Sequence, residues 1–278
     1  MQKTDCYAVI GNPVRHSRSP RIHQLFAQQF GHAIDYQAVQ LEQEELLSWV
    51  YGFFEAGGKG LNVTVPFKQQ AFAFAQVRSD RALCAQAVNT LLRGKDGRLY
   101  GDTTDGVGLL RDLQRQGCSP EGRAVLLLGA GGAARSVLEP LIQARPGYLA
   151  IANRTVAKAR ELAEMMAHRC AVGVFSFEQL PECPQRWDLV INATSASLGH
   201  QVPDLPEHLW SSAGVAYDMV YAAEPTAFLR FAASCGVSKT IDGLGMLVEQ
   251  AAESFFLWRG QRPSVEPVIA SLRQEMNA

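Results

Sequence analysis

The sequence contains no Cys-x-x-Cys pair: its cysteines (Cys6, Cys84, Cys118, Cys170, Cys183 and Cys235) are scattered along 278 residues. That spacing excludes a zinc ribbon and a dense disulfide framework, and it points to isolated reduced thiols in a cytoplasmic protein. No bound metal is expected. Long apolar runs are also missing. Glycines and charges interrupt every candidate before the roughly 20 residues of a membrane span are reached. Met1-Gln2-Lys3-Thr4-Asp5-Cys6 lacks the apolar core of a signal peptide. Neither sign of charge dominates: 26 Lys and Arg face 27 Asp and Glu, a net charge of −1. With no basic or acidic block, neither nucleic acid nor a membrane is expected as a partner. Internal repeats and low-complexity segments are absent. What remains is 47% hydrophobic and 19% charged, ordinary for a globular chain, at a length that suggests about two domains.

The most informative stretch is Gly129-Ala130-Gly131-Gly132-Ala133-Ala134, at the end of the apolar run Ala124-Val125-Leu126-Leu127-Leu128. It predicts a strand turning tightly into a helix. Gly129, Gly131 and Ala134 fill the three small-residue positions of the G-x-G-x-x-G/A dinucleotide fingerprint. Small residues let the backbone approach a pyrophosphate, and the first N–H groups of the helix face that anion. The next predicted strand, 148–152, runs into Asn153-Arg154-Thr155, with Asn153 24 residues beyond Gly129. An NAD-binding unit usually carries a carboxylate about 20 residues on, to hold the ribose 2′-OH. Here Arg154 stands there, with Thr155 beside it and Lys158 one helical turn later. A carboxylate would repel a 2′-phosphate, whereas a guanidinium binds it bidentately. The expected cofactor is NADP.

Strands and helices alternate on both sides of this loop. Strands are expected over 6–10, 34–39 and 61–65, and helices over 19–30, 43–54 and 68–76. Ser19-Pro20 suits a helix start, with Ser as N-cap and Pro in the first turn. Gly94-Lys95-Asp96-Gly97 predicts a hairpin joining 87–93 to 98–101. A turn centred there pairs residues whose numbers sum to about 191–193, which puts Asn89 opposite 102–104 and brings Asp105 beside it. A helix over 106–116 then leads to strands over 124–128, 148–152, 171–175, 188–192 and 215–219, with helices over 133–143 and 156–168. Two helices, around 247–258 and 265–276, close the chain with no further strand expected. The alternation implies an α/β fold whose parallel sheet has helices on both faces.

Candidate chemistry lies before the glycine loop. Ser17 and Ser19 put two hydroxyls beside a positive helix end, which suits a small carboxylate; Ser19 serves equally as a cap. Asn62 and Thr64 share one strand face, toward a cleft or toward water. Lys68 follows that strand, and Asp105 either caps the helix after it or works beside Asn89. Lys68 and Asp105 are 37 residues apart, and spacing alone does not join them.

Gly11-Asn12-Pro13, Ser17-Arg18-Ser19-Pro20, Asn62-Val63-Thr64-Val65-Pro66-Phe67-Lys68, Ala87-Val88-Asn89-Thr90 and Thr104-Asp105-Gly106 resemble successive motifs of the shikimate dehydrogenase family. So do Gly129–Ala134, Asn153-Arg154-Thr155, Asn192-Ala193-Thr194-Ser195, Asp218-Met219-Val220-Tyr221 and Asp242-Gly243-Leu244-Gly245-Met246, in family order from about residue 7 onward. The resemblance implies an N-terminal α/β substrate domain, residues 1–103 with 240–278. It pairs this with a Rossmann-type NADP-binding domain, 104–239, built on a doubly wound parallel sheet. The implied activity is reduction of 3-dehydroshikimate to shikimate with NADPH, on the route to chorismate and the aromatic amino acids, by a monomer or homodimer. By the same resemblance Ser17 and Ser19 hold the substrate carboxylate, while Thr64, Lys68, Asn89, Asp105 and Gln250 contact the ring hydroxyls. Tyr221 closes over the carboxylate side, and Lys68 and Asp105 form the catalytic pair. Gly129, Ala130, Gly131, Gly132 and Ala133 bind the pyrophosphate, and Asn153, Arg154, Thr155 and Lys158 the 2′-phosphate. Met219 and Gly243 sit by the nicotinamide. Gly243 and Gln250, seven apart, would then share one helix face.

Three positions depart from the family pattern. Thr103 stands where many members carry Asn, which alters local hydrogen bonding. Lys158 replaces a common Arg and weakens NADP selectivity slightly. Ala196-Ser197 replaces a usual Gly, leaving that loop's conformation open. A quinate/shikimate dehydrogenase using NAD or NADP, often NAD, is the nearest alternative; Arg154 and the serine pair argue against it. A non-catalytic NADP-binding regulator would have no use for Lys68 together with Asp105. A relation to methylenetetrahydrofolate dehydrogenases would leave the serines without a purpose.

Overall fold

The computed structural model describes residues 4–194, 196–199 and 201–277. Its residues fall into two compact units, Met1–Gly108 with Val248–Leu272, and Leu109–Leu247 with Arg273–Ala278.

The first unit holds β1 (Asp5–Gly11), α1 (Ser19–Gln29), β2 (Ile34–Gln40), α2 (Leu46–Glu55), β3 (Gly60–Val63) and α3 (Lys68–Phe74). It continues through β4 (Val77–Arg78), α4 (Asp80–Ala85), β5 (Thr90–Arg93) and β6 (Leu99–Asp102) to the start of α5 (Asp105–Arg115). Among the described residues these strands form one mixed sheet in the order β2-β1-β3-β5-β6-β4. β1 runs parallel to β2 and β3, and β5 antiparallel to β3 and β6. Alternation along β1 feeds two cores. Ala8 and Ile10 pack with Val50 and Phe54 of α2 and with Phe67, while Tyr7 and Val9 pack with Tyr36 and Trp258. The hairpin pairs Thr90 with Asp102 and Leu91 with Gly101, the register expected from its turn.

Two expectations change here. The strand at 61–65 ends at Val63, although the Thr64 N–H and the Val65 carbonyl still bond to the Ile10 carbonyl and the Asn12 N–H. Ser19 is the first residue of α1 rather than its cap. The Ser17 hydroxyl accepts the Ser19 N–H at 3.2 Å, so the serine two residues upstream satisfies the freed donor.

The second unit holds β7 (Ala124–Leu128), α6 (Gly132–Gln143), β8 (Tyr148–Ala152), α7 (Val156–Met165), β9 (Gly173–Phe175), β10 (Trp187–Asn192), β11 (Trp210–Asp218), α8 (Ala227–Ser234) and β12 (Lys239–Ile241). α9 (Leu244–Arg259) and α10 (Glu266–Asn277) follow, and the unit boundaries fall inside α5, α9 and α10. Among the described residues the sheet is parallel throughout, ordered β12-β11-β10-β7-β8-β9. This is the doubly wound arrangement, with strand order reversing between β7 and β10, where such sheets hold ligands. α8 and β12 were not expected from the sequence. Thr226 caps α8 by accepting the Leu229 N–H, a Ser/Thr N-cap legible after the fact. β12 is three residues long, too short to show a period. Among the described residues no helix is long and apolar enough to cross a membrane.

In this unit α9 approaches α5 through Gly245. A Cβ there would lie 2.1 Å from Asp112 Oδ1. Asp112 is fully buried, accepts hydrogen bonds from Tyr217 (2.7 Å) and Arg115, and has its carboxyl pushed up by burial. It cannot swing aside without losing both partners. Gly-to-Ala in a helix normally stabilises by up to about 1 kcal/mol; Gly245→Ala is expected instead to destabilise by about 1–3 kcal/mol, read from urea unfolding midpoints.

Candidate active site

In the first unit the chain leaves β3 and enters α3 at Lys68, so Lys68 is fixed by backbone bonds at both ends of that connection. The Val63 N–H donates to the Asn89 carbonyl at 2.8 Å, and the Val88 N–H to the Lys68 carbonyl at 2.9 Å. The hairpin end is thereby tied to the end of β3 and the start of α3. Asn89 is itself buried. Its amide donates to Asp105 Oδ1 (2.7 Å) and Thr104 Oγ1 (2.9 Å), while its Oδ1 accepts from the Thr104 N–H (2.9 Å) and the Thr90 hydroxyl (2.8 Å). The other oxygen of Asp105 meets Lys68 Nζ at 2.5 Å. Fold and register thus bring together two residues that spacing left apart.

Behind this pair lies a buried polar bed. Asn62 does not face water. It accepts the Tyr36 hydroxyl at 2.7 Å and donates to Ser254 Oγ at 3.0 Å. Ser254 sits 2.8 Å from Thr90 Oγ1, and the Thr104 hydroxyl reaches Gln250 Oε1 at 3.3 Å. Gln250 and Ser254, four apart on α9, line one helix face. Asn62, Thr104 and Ser254 were missing from the expected site. Asn62 and Thr104 stood in the motifs already noted, whereas Ser254 carried only its spacing from Gln250. Thr64 holds β1 through its N–H to the Ile10 carbonyl (2.9 Å), and its methyl sits where a Gly11 side chain would point, 2.4 Å from that Cβ. Thr103 keeps its N–H on Asp102 at 2.7 Å.

The second unit carries the glycine loop. Gly129 has φ +105°, and a Cβ on it would lie 3.2 Å from the Ala193 carbonyl oxygen, so glycine is required. Gly131 and Gly132 have open space instead, and no side chain caps α6. Ala130 is half-buried, Ala133 is exposed and Ala134 is fully buried. The first N–H groups of α6 are therefore presented to an anion. Beyond β8, Asn153 Nδ2 donates to the Thr155 carbonyl at 2.8 Å. Arg154, Thr155 and Lys158 are exposed, and among the described residues Arg154 and Lys158 hold no ion pair. An open anion-binding loop followed by unpaired cations fits a dinucleotide with an extra phosphate.

Met219 and Gly243 adjoin: the Gly243 N–H donates to the Val220 carbonyl at 3.1 Å, and a Cβ there would lie 2.1 Å from the Met219 carbonyl oxygen. Tyr221, two residues on, is half-buried. Gly243 is not on a helix face with Gln250. It precedes α9, and its carbonyl accepts the Leu247 N–H at 2.9 Å, the place of a cap. The open question at Ala196-Ser197 is answered by a 3-10 turn at Ala196–Gly199, in which the Ser197 hydroxyl donates to buried Asp218 at 2.6 Å. Thr226, Asn192 and the Val220 N–H donate to the same carboxylate, opposing the burial that pushes its pKa up. Ser195 lies outside the described residues.

Three family models match: the shikimate dehydrogenase substrate binding domain over 9–91, shikimate / quinate 5-dehydrogenase over 113–200, and the shikimate 5'-dehydrogenase C-terminal domain over 243–273. A protein named shikimate dehydrogenase (NADP(+)) from Chromohalobacter salexigens is 56% identical over 98% of this chain and 99% of its own. The chain belongs to the shikimate dehydrogenase family. A second relative of that name, from Alkalilimnicola ehrlichii, is 51% identical over 98% of this chain and all of its own. Among solved structures, an Ael1 enzyme from Pseudomonas putida matches with a TM-score of 0.91 at 45% identity, covering 97% of this chain and 98% of its own. The shikimate 5-dehydrogenase of Thermus thermophilus, solved in complex with NADP(H) and shikimate, matches at 0.86 and 33%, covering 98% and 99%.

Below Tyr36 lies His23, buried, its ring stacked on that phenol with centroids 4.5 Å apart. Burial pushes its pKa down to about 3, with Asn62 opposing. Below about pH 6.5 the unfolded chain takes up a proton here that the folded chain refuses, so folding weakens as pH falls through this window. From pH 7 to pH 5 the loss from this residue is expected to reach about 2 kcal/mol. His23→Phe should flatten that decline in urea unfolding measured at both pH values; an equal decline in both proteins would acquit His23.

Proposed function

We propose that this chain is an NADP-dependent shikimate dehydrogenase, reducing 3-dehydroshikimate reversibly to shikimate. The observation that carries the reading is the Lys68–Asp105 contact at 2.5 Å, held by Asn89 on the second carboxylate oxygen. A protein that only bound the two small molecules would have no need of it. When bound, NADPH supplies the hydride that reduces the C3 carbonyl. The Lys68 ammonium stabilises the alkoxide that develops there and delivers the proton, while Asp105 orients the hydroxyl and holds the lysine in place. Ser17 and Ser19 hold the substrate carboxylate at the start of α1, with Tyr221 closing over that side. Thr64, Asn89 and Gln250 orient the ring hydroxyls.

For the cofactor, Gly129–Ala133 and the first turn of α6 take the pyrophosphate, and Met219 with Gly243 flank the nicotinamide. Asn153, Arg154, Thr155 and Lys158 take the 2′-phosphate. Residues 1–103 with 240–278 act as the substrate domain and 104–239 as the cofactor domain; the two compact units support this division except at 104–108, which fall in the first unit, and at 240–247 and 273–278, which fall in the second. Free thiols at all six cysteines support a reducing, cytoplasmic setting.

Lys68→Ala is expected to lower turnover about 10²–10⁴-fold with NADPH affinity, titrated by nucleotide fluorescence, unchanged. Full turnover in this variant would remove Lys68 from the mechanism. Arg154→Ala should raise the KM for NADP+ about tenfold or more and leave that for NAD+ nearly untouched, in steady-state oxidation assays with shikimate and quinate as alternative substrates. Preference of the unaltered protein for quinate with NAD would replace this reading by a quinate dehydrogenase.

A further inference from the structure

A cavity of about 410 Å³ opens in the first unit, lined by residues that include Asp5, Tyr7, Lys59, Arg93, Trp258 and Arg259. Topology sets it apart from the Lys68 site. Asp5 starts β1, Lys59 precedes β3, and Arg93 ends the antiparallel β5, whereas Lys68 and Asn89 lie beyond the other ends of β3 and β5. The two sites therefore lie at opposite ends of the sheet's strands.

The walls combine surplus positive charge with a braced aromatic surface. Three cations face one carboxylate. Arg259 is already engaged, with Asp5 and the Tyr7 hydroxyl each at 2.9 Å. Lys59 and Arg93 are exposed, and among the described residues neither holds an ion pair; Arg93 Nε donates to the Gly97 carbonyl at 3.0 Å. Trp258 cannot rotate freely. Its indole N–H donates to the Leu91 carbonyl at 3.1 Å, and its ring lies 5.0 Å from that of Tyr7 and over Gly60, where a Cβ would come within 2.3 Å of it. A bare inorganic anion would leave the indole wall wet, and a neutral ring would leave Lys59 and Arg93 unanswered. The volume falls within the range of small-molecule sites, about 300–1,000 Å³.

We propose that this cavity is a second ligand site, distinct from the substrate and cofactor sites, and that it takes a planar aromatic carboxylate. The ring lies against half-buried Trp258, which buried Tyr7 backs, and the carboxylate is met by Lys59 and Arg93.

The test is calorimetric titration of the full-length protein with 2-naphthoate, in the presence of saturating shikimate, with 2-naphthamide as the uncharged comparison. Saturable one-site binding is expected, about fivefold or more tighter for the carboxylate than for the amide. Lys59→Ala and Arg93→Ala should each weaken it about fivefold, the scale of one exposed charge contact, and their unchanged shikimate turnover would show an intact fold. Lys68→Ala should bind the probe normally. Absence of saturable binding, equal affinity for the amide, undiminished affinity in the Lys59→Ala/Arg93→Ala double variant, or loss of binding when shikimate is added would each overturn the proposal.

Discussion

A polar group buried under a sheet has to find its partners inside the protein, and in the first unit that constraint converges on Asn89. Its side-chain amide uses both donor and acceptor sides, on Asp105, Thr104 and Thr90. These bonds join the hairpin to the first turn of α5. Its backbone carbonyl accepts from the end of β3. The neighbouring Val88 reaches the start of α3. Geometry at the Lys68–Asp105 pair is thus a product of hairpin register, and a one-residue slip would exchange every inward side chain for an outward one.

The second unit solves the same problem with one carboxylate and several glycines. Asp218 gathers an amide donor from the end of β10 and hydroxyl and backbone donors from the segments that follow β10 and β11, fixing the loops at the strand-order reversal. Its glycines divide by environment. Gly129, Gly243 and Gly245 are pressed against backbone or a buried carboxylate, so a side chain there would displace structure. Gly131 and Gly132 face open space, and what they leave room for is a ligand.

Much of this was legible before any coordinates. The hairpin turn set its own register, and the limits of β7 and β8 coincided with the apolar runs that predicted them. Elements with weak local signals escaped. β12 is short and paired along one edge, with β11, and α8 depended on a threonine cap. Ser19 looked like a cap because Ser before Pro usually is one, but the Ser17 hydroxyl had already met that N–H. Asn62 was assigned to a face without being assigned to the interior. Strand alternation says which residues point together and not what covers them.

From the residues alone came the α/β alternation, the dinucleotide loop and the choice of NADP, because each rests on neighbours within about 25 residues whose chemistry is local. The motifs, taken in order, carried the family. Tertiary structure decided what lies between distant segments: the contact of Lys68 with Asp105, the buried bed of Asn62, Thr90 and Ser254 beneath it, and the cationic cavity at the other end of the same sheet's strands. Those contacts join residues up to about 250 positions apart. Only packing supplies the register, the burial and the desolvation that give them their strength.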